Sequence, residues 1–222
     1  MITPTNPGPS DPFAHVPEFA LRLFRTEPLA RTVRRWHELR IPGVFQSPEF
    51  TTAAHRVHDE RDPLPFTAEE AVELREERRT ALSSTFLDSC QVILYEEALH
   101  RIAASLGAGV ARAQAQFLAD VVDGSASWCD SRTTLAILPR TSPMLFAPGD
   151  LTLMTFAPDA GEQDYLYIEQ EFGVTGGVGA NYLTESTLLA KADKKWAQLT
   201  EDGLPGPDKT LELLNQLPQP LV

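Results

Sequence analysis

Apolar residues in the first part of the chain recur at Phe19, Leu23, Val33 and Trp36, with charged residues between them. That spacing predicts a helical face, broken or kinked where Pro28 removes a backbone donor. Residues 16–40 are accordingly expected to form a linker or dimerisation helix region of two short helices. Next comes Ile41-Pro42-Gly43. Proline fixes φ at one position and glycine supplies φ > 0 at the next, so the pair is expected as a type II turn. Ser47 then offers an N-cap hydroxyl, Pro48 suits the first helical position, and Glu49 favours the positive end of a helix over 48–60. The Asp62-Pro63-Leu64-Pro65 loop ends it. Thr67-Ala68-Glu69-Glu70 reads as a capping box opening a long helix from 68 to about 86, with Val72, Arg75, Arg78, Arg79 and Leu82 at helical spacing.

The period changes at Gln91. Val92-Ile93-Leu94-Tyr95 is short, apolar and partly β-branched, a buried strand followed at once by a helix over 96–104. A further helix over 111–122 turns Phe117, Leu118 and Val121 inward. Three strand candidates follow at 132–138, 150–156 and 164–170, with Pro/Gly-rich turns between them, a spacing that predicts an antiparallel meander. The glycine-rich stretch 172–181 reads as a structural turn or hairpin. Two helices, 186–201 and 207–217, close the chain. The expected fold is α+β, with N-terminal helices, a small mainly antiparallel sheet and C-terminal helices, forming a single domain over 16–218 behind a flexible tail at 1–15.

Composition narrows the class. In 222 residues, 42% of them hydrophobic, no apolar run approaches the roughly 20 residues that span a bilayer. A basic, apolar-cored leader is missing from the N-terminus, and a cytoplasmic location is expected. Two cysteines, Cys90 and Cys129, make no disulfide framework and no zinc spacing. The net charge of −12 disfavours direct binding to nucleic acid. Charge is also unevenly placed: Arg22, Arg25, Arg31, Arg34, Arg35 and Arg40 crowd the early segment, while 141–190 contains no lysine or arginine. The simplest account is solvation together with matching between the two halves or between subunits.

Few residues carry recognisable chemistry. The glycines at 173–179 lack both a following Lys-Ser/Thr and a G-x-G-x-x-G spacing, so they do not predict a phosphate cradle. His55 and His58 share a helical face without enough converging ligands for a metal, and neither metal nor cofactor is expected. Polar and aromatic groups at strand ends are more suggestive. Tyr95-Glu96-Glu97 follows the first strand, and Tyr165, Tyr167, Glu169 and Glu171 alternate along another. Alternation places the last four on one side of a sheet, where they could line a pocket or an interface, or simply face solvent.

Nine short pieces in order across 41–199 resemble one family. They are Ile41-Pro42-Gly43-Val44-Phe45-Gln46, the helix with Arg75, Arg78 and Arg79, Tyr95-Glu96-Glu97-Ala98-Leu99, Gln116-Phe117, Ile137-Leu138-Pro139, Tyr167-Ile168-Glu169, Thr175-Gly176-Gly177, Tyr182-Leu183 and Trp196 with Leu199. The set is similar to the C-terminal effector domain, of unknown function, in actinobacterial antitoxin-like transcriptional regulators, which usually follows a helix-turn-helix domain. Phe45, Arg79, Arg140 and Trp196 depart from its pattern. The 41 residues before Pro42 suffice for a linker helix but not for a DNA reader. The resemblance implies a stand-alone regulatory module, expected as a homodimer, that binds a small molecule or a small partner protein. Any helix-turn-helix regulator would act in trans. Ligand or partner contacts are expected at Gln46, Arg75, Arg78, Tyr95, Glu96, Tyr165, Tyr167 and Glu169. The alternative is an enzyme of specialised metabolism, with Glu96 and Glu169 as acid and base and Tyr167 orienting.

Overall fold

Residues Ala30–His37 form a strand, β1, in place of the second expected helix. Val33 and Trp36, read from sequence as one helical face, point to opposite sides of a sheet, since positions three apart do so in a strand. Two ladders impose this conformation: β1 pairs in parallel with β2 (Ser89–Tyr95) and antiparallel with β4 (Leu151–Phe156). Before it, α1 (Glu18–Thr26) stops at a 3-10 turn containing Pro28, so the proline breaks the helix as expected. The computed structural model describes residues 16, 18–83, 86–142, 149–172, 177–201 and 203–216. The tail expected at 1–15 lies outside them, as do Gly173 and Gly176 and the side chain of Glu171.

Most remaining elements follow the sequence closely: α2 (Pro48–Asp59), α3 (Ala68–Leu82), α4 (Glu96–Leu106), α5 (Ala108–Val122), β3 (Thr133–Leu138), β5 (Tyr165–Phe172), α6 (Ser186–Glu201) and α7 (Pro207–Gln216). The exception is β6 (Gly177–Leu183), an unexpected strand that forms by pairing with β5 where the glycine-rich stretch reads as a turn or hairpin. The fold is α+β, built on a mixed sheet of six strands ordered β3-β2-β1-β4-β5-β6. Three of its ladders are antiparallel and two parallel. The expected meander of β3, β4 and β5 is only partly found. β3 sits at the far edge in parallel with β2, and β4 reaches its place by pairing with β1.

This order explains where the helices lie. The steps from β1 to β2 and from β2 to β3 are parallel and run the same way across the sheet. Right-handed crossovers therefore put α2, α3, α4 and α5 on one face. The larger core lies there: Val33, Val92, Leu94, Ile137, Met154, Tyr165 and Tyr167 pack with Leu82, Leu99, Ile102, Leu118 and Leu214. On the opposite face Trp36, Ile93, Leu153 and Leu166 pack with Trp196 and Leu199 of α6. The basic early segment is matched largely within the chain. Arg22 meets Glu162, Arg34 meets Asp193, and Arg40 meets Asp150 and Glu169 in the acidic second half.

Candidate functional site

The connection after β1 organises the helical face. Gly43–Phe45 is a 3-10 turn, closed by Phe45 N–H to the Pro42 carbonyl at 2.8 Å and Gln46 N–H to the Gly43 carbonyl at 3.1 Å. Gly43 is not among the positive-φ glycines, so the expected type II turn is not formed. The position is tight instead: a Cβ there would lie 2.9 Å from Nη1 of Arg78, so that guanidinium would have to shift. Buried Gln114 of α5 accepts from Ser47 N–H at 2.8 Å and donates to the Phe45 carbonyl at 2.7 Å. Ser47 caps α2 as its sequence predicts, accepting from Phe50 N–H at 3.1 Å. From α3, Arg79 donates to the Gln46 carbonyl at 3.2 Å. This arginine lies over the rings of Phe117 and Trp128 and serves the connection.

Beside the connection, between α1, the sheet and helices α2, α3 and α4, lies a cavity of about 920 Å³. Its volume is within the roughly 300–1,000 Å³ common for small-molecule sites. Arg35, Thr152 and Tyr167 form adjoining positions across β1, β4 and β5 in its sheet wall. Leu23 and Phe24 of α1, Phe50 of α2 and Ile102 of α4 give it apolar sides. The charge of the lining runs against that of the chain. Six arginines (35, 40, 61, 75, 78 and 101) contribute to it, against the carboxylates of Asp62 and Glu169.

Some of these arginines are neutralised. Glu27, from the 3-10 turn after α1, accepts from Nε of Arg78 at 2.8 Å and also pairs with Arg35; all three groups are buried. Burial alone would raise the Glu27 carboxyl, yet the two guanidiniums outweigh it and hold the carboxyl below its usual range. The Arg78 guanidinium also lies 3.8 Å from the centroid of Phe24. Arg75 differs: Nε donates to Oε1 of Gln46 and Nη1 to the Ala71 carbonyl, both at 2.7 Å, and it forms no ion pair among the described residues. Desolvation, with Arg78 and Arg79 nearby, lowers it to about 10, so it is still charged at neutral pH.

At the carboxyl end of β1 stands His37, 8% exposed, with neither ring nitrogen hydrogen-bonded among the described residues. Its Nδ1 is 3.7 Å from Oδ2 of Asp150. Desolvation lowers the imidazole below its ordinary range despite Asp150, so at neutral pH it is uncharged. Asp150 accepts from Glu38 and Leu39 N–H at 2.8 and 3.2 Å and from Nε of Arg40 at 2.8 Å. These bonds and His37 outweigh its burial and hold its carboxyl well below the usual range.

Five of the residues expected at a site, Gln46, Arg75, Arg78, Tyr167 and Glu169, line this cavity. Three do not. Tyr165 is wholly buried, its hydroxyl 2.7 Å from that of Thr26. Tyr95 packs with the core on the other face and donates to the Arg140 carbonyl at 3.0 Å. Glu96 fastens the junction of β2 and α4, accepting from Arg140 N–H at 2.8 Å with His100 3.0 Å away. Glu96 and Glu169 therefore do not share the cavity, because β2 delivers Glu96 to the start of a helix. Sequence reasoning missed Arg35, His37, Arg40, Asp150 and Phe24. The signal available was strand alternation of Val33, Arg35 and His37, hidden by the helical reading of the same segment.

No helix among the described residues is long and apolar enough to cross a membrane. No curated protein and no solved structure matches the chain. Residues 21–216 match a family described as a domain of unknown function, DUF5753. That match takes in most of α1, every strand and the last helix among the described residues, and the chain belongs to this family.

Proposed function

We propose that this chain is a regulatory effector domain that binds a small organic molecule in the cavity between α1 and helices α2–α4. What carries the reading is a cavity of about 920 Å³ whose lining is part apolar and part arginine, in a chain of net charge −12. Apolar walls supply affinity and a few fixed polar groups supply orientation, the usual division in small-molecule sites. The cavity borders α1, β1 and three helices, so a ligand there touches most elements of the larger core and biases their packing. Consistent with the resemblance in sequence, the output is a contact with a protein partner, a second copy or a helix-turn-helix regulator in trans, with no direct binding to nucleic acid. The enzyme reading has less support, since Tyr167 and Glu169 remain in the cavity but Glu96 is elsewhere.

The test is occlusion. Ala54 lines the cavity from α2 and is only partly buried, so Ala54→Trp can fill space without entering the core. Wild-type protein is expected to gain thermal stability with at least one fraction of a small-molecule extract from its native host, and Ala54→Trp to lose that response while keeping its circular dichroism spectrum. A response unchanged in the tryptophan variant would place the ligand elsewhere and overturn the proposal.

A further inference from the structure

The cavity also indicates what class of molecule fills it. Of its six lining arginines, Arg35 and Arg78 share Glu27, and Arg40 is held by Asp150 and Glu169. Arg75, Arg61 and Arg101 form no ion pair among the described residues. Arg61 and Arg101 are exposed and solvated, so they decide little. Arg75 is half-buried, beside two other guanidiniums, and turns Nε and Nη1 to neutral acceptors only. Leaving a desolvated guanidinium without an anion is costly, and a carboxylate accepting from it forms a strong, charge-assisted hydrogen bond.

The neighbouring His37 adds no ligand contact. His37, more than nine-tenths buried in the same lining, has no hydrogen-bond partner among the described residues on either nitrogen. With Nδ1 toward Asp150, Nε2 is left as a buried acceptor. Both nitrogens are sealed from the cavity space, so His37 is part of the wall and not a ligand contact.

Resting on the proposed ligand site, we infer that the ligand is an amphipathic organic anion whose acidic head bonds Arg75 and whose apolar body lies along Phe24, Phe50 and Ile102. The assignment is tested with matched probes: decanoate against decanol, and pyrenebutyrate against pyrenebutanol, by calorimetry and fluorescence. Each carboxylate is expected to bind about tenfold or more tightly than its alcohol, the size of one hydrogen bond to a charged group. Arg75→Gln is expected to bring the carboxylate to the level of the alcohol and leave the alcohol unchanged; Arg75→Lys should keep part of the difference and guards against a folding defect. Equal affinity for acid and alcohol, or carboxylate binding untouched by Arg75→Gln, would overturn the anion assignment while the cavity reading stands. Binding of neither class would overturn both. Probe binding that survives Ala54→Trp would place the probes outside the cavity and remove the ligand reading itself.

Discussion

Glu27 is one carboxylate between two guanidiniums in the interior, and its neighbours explain why it is there. Arg35 comes from a strand and Arg78 from a helix, and neither could be buried alone without a large desolvation cost. Arg78 in turn occupies the space that a side chain at position 43 would take, next to the Phe24 ring. Removing the charge of Glu27 leaves two cations facing each other in a dry setting. Glu27→Gln is expected to lower stability by about 3–5 kcal/mol, the range for breaking a buried pair from one side, as read by urea denaturation. The sign of the pH effect follows from its depressed carboxyl. Its contribution is complete above the unfolded value near 4.5 and is lost as pH falls through the lower folded value. The stability gap between wild type and Glu27→Gln should therefore be constant at neutral pH and shrink in acid below about 4.5.

Elements hold the site through the connection from β1 to α2. That segment is fastened by groups far away in sequence: Gln114 from α5, Arg79 and Arg75 from α3. Gln114 is the critical one, since it is fully buried and completes the bonding of one backbone N–H and one carbonyl. Gln114→Leu preserves approximate size but strands both groups, each costing about 1–3 kcal/mol when unsatisfied. A drop of about 2–6 kcal/mol in chemical denaturation is expected, with weaker ligand binding because Gln46 and Gly43 line the cavity. The caps at this level were legible beforehand. Ser47 and Thr67 act as predicted because capping is local, the side chain reaching a backbone donor three residues on.

For the molecule as a whole, the cavity is where strand β1, helix α1 and the helices of the first two crossovers meet, so ligand binding should register globally. At a hundredfold excess over Kd a ligand adds about 2.7 kcal/mol, or a Tm rise of about 5–11 °C for a chain of this size. A decanoate titration by calorimetry is expected to move one unfolding transition upward; a rise in only part of a split transition would show that the cavity is not coupled to the core. Most helices and strands, their caps and the α+β class came from periodicity and composition, because those signals depend on neighbours a few residues away. The sheet order, the strand at Ala30–His37 and the gathering of Arg35, His37, Arg75, Arg78 and Glu169 around one space did not. A local pattern with Val33 and Trp36 three apart fits a helix face or two sides of a strand equally well, and only long-range pairing with β2 and β4 selects the strand. The sequence by itself thus determined which segments are regular and which residues are polar enough for a site; tertiary structure alone decided which polar groups meet, because burial and pairing between distant segments set that choice.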